Sequence, residues 1–184
     1  MTHAPVTSRR SLAAGWIVAN TLGWAATMGA FQMLPRGLKP IACVIIAGAQ
    51  WRALHRQAGM SLWWMAGTAV GWFGGLWVAT ADFWPDAFWA GGIGGAISGI
   101  LQCLTLWRRA ASRSTASRRT LSWAPVTLVA SEIGWVAGVC IGLLIYVETG
   151  ESLAYVLGGA LAGIVIGSVS APALLWLLDA SPVS

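Results

Sequence analysis

Charge is what this sequence has least of. Only 9% of its 184 residues are Asp, Glu, Lys or Arg, against about 25% in an ordinary soluble domain. So few charges cannot clothe a water-facing surface, which excludes a soluble enzyme and a disordered tail alike. Cysteine is equally sparse: Cys43, Cys103 and Cys140 lie in apolar stretches without C-x-x-C spacing. They read as small packing residues and exclude a disulfide scaffold. There are two histidines, His3 in the N-terminal tail and His55 at the cytoplasmic edge between Arg52 and Arg56, so no intramembrane His pair is available for haem or metal. His55 reads as a solvated helix-end residue, with axial ligation of an interfacial pigment as the alternative. Neither a phosphate-binding Gly loop nor a nucleophile elbow is present. The sequence predicts a protein that is not an enzyme and requires no cofactor, a bound pigment or lipid remaining open.

What it does have is 57% hydrophobic residues, 23 Gly and 13 Trp, a composition that points to the bilayer. A helix crossing the hydrocarbon core needs about 20 mostly apolar residues. Five stretches supply them, 12–34, 61–83, 88–107, 123–147 and 153–178. The run 41–51 is short, and Arg36, Lys39 and Arg52 flank it. It spans if it begins near Pro35 with its basic ends snorkelling, and is re-entrant otherwise. Charge placement favours six spans. Arg9, Arg10, Arg52, Arg56, Arg108, Arg109, Arg113, Arg118 and Arg119 then share one side, nine of eleven basic residues. Asp82, Asp86, Glu148 and Glu151 fall opposite with Arg36 and Lys39. The positive-inside rule makes both termini cytoplasmic.

This placement removes nucleic acid as a reading of the +5 net charge. The basic, Ser-rich loop 108–120 serves topology and anionic headgroups, or docks a cytoplasmic partner. Ser8-Arg9-Arg10-Ser11-Leu12 has the look of a twin-arginine signal, but the long apolar stretch and five later spans make it an anchor for the first helix.

The chain repeats itself. Gly23-Trp24, Gly71-Trp72 and Gly134-Trp135 open on the first, third and fifth spans, each Trp preceded at four residues by Asn20, Thr68 or Ser131. Even spans carry Gly-rich ladders, and the second and fourth end with Gln50 and Gln102, a position that falls at Ile166 in the sixth. The expected fold is therefore all-α: a polytopic six-helix bundle in one membrane domain. It would comprise three tandem hairpins, 11–56, 61–107 and 121–178, related by a pseudo-threefold axis along the membrane normal. The Gly-Trp helix paired with a Gly-rich helix ending in Gln-Trp-x-x-Leu resembles a class of uncharacterised bacterial multi-pass membrane proteins built from such hairpins. That resemblance implies a fold and the bacterial inner, or a related intracytoplasmic, membrane. It implies no established chemistry, and the third hairpin departs from it at Ile166.

Three sets of residues are candidates for function. Glu132 is the one carboxylate well inside a span, where hydrocarbon favours its neutral, hydrogen-bond-donating form; Ser131, Asn20, Thr68, Gln50 and Gln102 are expected at similar depth and would form a polar site or a structural core with it. Trp24, Trp72 and Trp135 lie deep and act as packing wedges or ligand walls. The other tryptophans, Trp16, Trp51, Trp63, Trp64, Trp84, Trp89, Trp107, Trp123 and Trp176, are expected in an interfacial belt. Gly159, Gly163 and Gly167 make a stripe that packs within the bundle or docks a partner helix. The function expected is that of an accessory or scaffolding subunit packing against other membrane subunits of a photosynthetic or respiratory assembly. The alternatives are a small transporter or substrate-binding component centred on Glu132, and a pigment- or lipid-binding protein.

Overall fold

The computed structural model describes residues 9–79, 84–110 and 120–179. Loop residues 111–119, with Arg113, Arg118 and Arg119, lie outside them, as do His3 and Asp82. Among the described residues the chain is all-helical, without strands. Six α-helices follow in order: α1 (Arg9–Met33), α2 (Cys43–Ala58), α3 (Leu62–Ala79), α4 (Trp84–Ala110), α5 (Trp123–Thr149) and α6 (Leu153–Asp179). Segments Trp89–Arg108, Trp123–Thr149 and Leu153–Leu178 are long and apolar enough to cross a membrane, which indicates membrane association.

The short second stretch is preceded by a 3₁₀ helix. Residues Arg36–Ala42 wind as a seven-residue 3₁₀ segment containing Pro40 and run straight into α2. Lys39 lies over the Phe31 ring, 5.0 Å from its centroid, which holds the segment against α1. Glycine ends α2 and α5 in the same way: Gly59 (φ 61°) and Gly150 (φ 68°) take the left-handed conformation. Their N–H groups cap His55 and Tyr146 carbonyls, at 3.0 and 2.7 Å.

Each helix packs on its sequence neighbours, and α6 closes back on α1, so the six form a ring. Missing side chains allow the close seams. A Cβ on Gly75 would lie 2.5 Å from the Ala90 carbonyl, and one on Gly138 2.5 Å from the Gly158 carbonyl. The backbones of α3 and α4, and of α5 and α6, therefore touch directly. The stripe Gly159, Gly163 and Gly167 faces α1: Cβ atoms there would strike the Trp24 carbonyl, the Asn20 backbone and Ile17 Cα. Of the two readings of the stripe, packing within the bundle is the one that this contact supports. The groove is filled from within the chain by α1.

Candidate functional site: a polar layer between two tryptophan triangles

The inner faces of the odd helices are built on four-residue spacing, which keeps side chains on one side of a helix. Trp16, Asn20 and Trp24 form the stripe on α1, and Trp64, Thr68 and Trp72 the stripe on α3. On α5 it is one turn longer, running through Trp123, Thr127, Ser131 and Trp135. All of these residues are buried. Closing the ring brings the three stripes together around a common centre.

The result is two layers of indoles. Trp24, Trp72 and Trp135 meet with ring centroids 4.2, 5.7 and 6.0 Å apart. Trp16, Trp64 and Trp123 meet at 6.2, 6.3 and 5.7 Å. Four of the six pairs pack edge-to-face and the other two are tilted; an edge-to-face pair adds about 0.5–1.5 kcal/mol beyond burial. The second triangle corrects the interfacial-belt expectation for Trp16, Trp64 and Trp123. Their exposure is 2% or less, whereas Trp63, Trp89, Trp107 and Trp176 are exposed on the outer wall. Trp84 falls outside the described side chains. The readable signal was the eight-residue step from Trp16 to Trp24 and again from Trp64 to Trp72; the extra turn in α5 disguised the third member.

Between the triangles lies a layer of amides and hydroxyls. Gln102 Nε2 donates to Thr68 Oγ1 at 2.7 Å, and Gln102 Oε1 accepts the Trp123 indole N–H at 2.7 Å. An indole can only donate, so this contact fixes which end of the amide is oxygen. Gln50 Nε2 donates to Asn20 Oδ1 at 2.9 Å, and Asn20 Nδ2 donates to the Trp16 carbonyl at 2.9 Å. The Thr68 hydroxyl has one proton, with the Trp64 carbonyl at 2.9 Å nearer than Gln50 Oε1 at 3.4 Å. Trp16 donates its N–H to Ser170 Oγ at 2.8 Å, and that hydroxyl donates to the Ile166 carbonyl. Ser98 and Thr127 return their protons to backbone carbonyls one turn back. Sequence reasoning missed Ser98 and Ser170, single hydroxyls on Gly-rich helices with no pattern of their own, and Thr127, which occupies the extra turn of the α5 stripe.

Of the residues expected to cluster, Asn20, Thr68, Gln50, Gln102 and Ser131 come together and Glu132 does not. Ser131 lies on the inner face of α5; Glu132, the next residue, is turned roughly 100° around the helix. A Cβ on Gly92 of α4 would lie 2.9 Å from Glu132 Oε2. That oxygen is buried and has no hydrogen-bond partner among the described residues. The carboxyl thus belongs to the α4–α5 seam, away from the centre.

The layer encloses a chamber of about 10 Å³, bounded by Trp72 on one side and by Trp16 and Trp123 on the other. Its polar lining is uncharged, so it offers hydrogen bonds and neither a general base nor a nucleophile pair. Elsewhere, Cys43 and Cys103 donate to the carbonyls of Ala69 and Thr120. No group of three His, Cys, Asp or Glu gathers to hold a metal among the described residues. His55 stacks on Trp51 at 4.8 Å, and its Nδ1 lies 2.9 Å from the Met60 carbonyl. With Nδ1 protonated, it pins the turn between α2 and α3. Comparison with known protein families, curated proteins and solved structures finds no match to this chain.

Proposed function

We propose that this chain is a multi-pass protein of the bacterial inner, or a related intracytoplasmic, membrane. Its six helices span as three tandem hairpins about a pseudo-threefold axis, with both termini cytoplasmic. Its role is non-enzymatic: it is an accessory or scaffolding subunit that presents its outer wall to other membrane subunits. Support for six spans comes from that wall, where Leu22, Ile45, Val70, Ile100, Ile133 and Ile164 are exposed, one from each helix. A surface apolar on every helix suits lipid and subunit contact and would aggregate in water. Support for the orientation comes from Arg9, Arg10, Arg52, Arg56 and Arg108 at one end and Glu148 and Glu151 at the other.

The observation that carries the scaffolding role is the filled axis. A site for a vitamin, pigment or lipid would need about 300–1,000 Å³. Two indole triangles leave a chamber of about 10 Å³ at the centre. Binding chemistry is then left to the outer wall. The test is purification in mild detergent, followed by mass spectrometry of what stays bound. A membrane subunit at fixed stoichiometry is expected; a retained chromophore, vitamin or transported solute with no subunit would overturn the proposal. Orientation is tested by impermeant maleimide on Arg56→Cys and Glu148→Cys, which should label from opposite faces, Arg56→Cys from the cytoplasmic one.

A further inference from the structure

Gln50, Gln102 and Ile166 are equivalent positions of the three proposed hairpins, and the equivalence exposes a gap. In the first hairpin Gln50 donates to Asn20, and in the second Gln102 donates to Thr68. The third has Ser131 where the others have Asn20 and Thr68, but it has Ile166 where they have the amide. Ser131 is 1% exposed, and its hydroxyl finds no hydrogen bond among the described residues. Gln102 alone also accepts the indole N–H of the next hairpin, that of Trp123; the Trp64 N–H, which would look to Gln50, has no partner among the described residues, and Trp16, which would look to position 166, reaches Ser170 one turn further on. The chamber opens at this place, lined by Ile166 together with Gln50, Ser98, Gln102, Thr127, Ser131 and Ser170.

We propose that this chamber binds one ordered water molecule, which does the work of the amide missing from the third hairpin. Size supports one molecule and no more, since a buried water needs about 10–15 Å³ of accessible space and two to four polar partners. Chemistry supports water over an ion, because the polar lining consists only of neutral amides and hydroxyls. A group that both donates and accepts suits it: Ser131 needs a partner, and Ser98, Thr127 and Ser170, having given their protons to the backbone, can still accept. The water is a structural ligand of the axis and does not depend on any partner subunit. It rests on the hairpin equivalence proposed above only for its explanation, since occupancy is read directly.

The experiment is a high-resolution structure of the purified protein in a lipid mesophase, for the wild type and for Ile166→Gln, with Tm measured on both. For the wild type, density within 3.2 Å or so of Ser131 Oγ and at least one other lining group is expected. A dry chamber in a map that shows other buried waters would overturn the inference. For Ile166→Gln the new amide should displace the water and leave Tm unchanged or raised. Water retained beside the amide would refute the claim that it replaces that group. Should Ile166→Gln not fold, the wild-type map decides occupancy by itself. Failure of the hairpin reading is distinguishable: a water bound to Ser131 in the wild type but undisturbed by the glutamine would sink the equivalence and keep the site.

Discussion

Gln102 and Trp123 are joined by a 2.7 Å hydrogen bond from indole to amide oxygen, and the nitrogen of that amide reaches Thr68 at 2.7 Å. One side chain of α4 thereby ties α3 to α5 through the middle of the bundle. Gln102→Leu keeps the volume roughly constant but strands a buried indole N–H. The expected cost is about 1–3 kcal/mol, towards the lower end if the denatured state in the membrane finds other partners. Equilibrium unfolding in mixed micelles measures it.

The closure of the ring rests on Gly163. A methyl group there would enter the Asn20 backbone and lie 2.7 Å from Thr21 Cα, and no flexible side-chain end is available to yield. Gly163→Ala should cost about 1–3 kcal/mol through overpacking and disturb the Asn20–Gln50 hydrogen bond as well. Gly48 in α2 has nothing within 4 Å of such a methyl. Gly48→Ala should leave stability unchanged or raise it by about 0.5–1 kcal/mol, the entropic cost of glycine in a helix. Thermal unfolding of the two variants side by side tests the contrast.

How much of this was legible in the sequence follows from what a helix displays in one dimension. Long apolar runs announced α1, α3, α4, α5 and α6 to within a few residues. Four-residue spacing announced Asn20, Thr68 and Ser131 beside Trp24, Trp72 and Trp135. Tilt and rotation are not encoded that way. The depth of Trp16, Trp64 and Trp123 depended on which way α1, α3 and α5 turn once α6 meets α1. Glu132 shows the same limit: it is adjacent to Ser131 in sequence, yet a helix sends neighbours to different faces. The stripe of Gly159, Gly163 and Gly167 declared a close contact but not whose.

The two classes of tryptophan should respond in opposite ways. Trp24 is fully buried and packs edge-on against both Trp72 and Trp135. Trp24→Ala should cost about 3–5 kcal/mol, the range for deleting a large core aromatic. Trp63 is 67% exposed, so Trp63→Ala should change the stability of the isolated protein by no more than about 0.5 kcal/mol. Urea or micellar unfolding followed by circular dichroism avoids relying on the altered fluorescence.

Gly91 and Gly92 are neighbours on α4 that should tolerate the same substitution very differently. A methyl on Gly91 would meet Trp135 Cβ and lie 2.9 Å from the Ser131 carbonyl. Both are anchored, one by the indole triangle and the other by the α5 backbone. A methyl on Gly92 would meet only the carboxyl end of Glu132, with Oε2 at 2.9 Å, and a Glu side chain can swing away by rotating about its χ angles. Gly91→Ala should therefore lower the Tm by several degrees, as a cost of about 1–3 kcal/mol implies, while Gly92→Ala leaves it nearly unchanged. Because the displaced Oε2 has no partner to lose, Gly92→Ala should also match Gly92→Ala combined with Glu132→Gln. A large drop for Gly92→Ala alone, relieved by Glu132→Gln, would instead mean that the carboxyl is held in the α4–α5 seam by its charge.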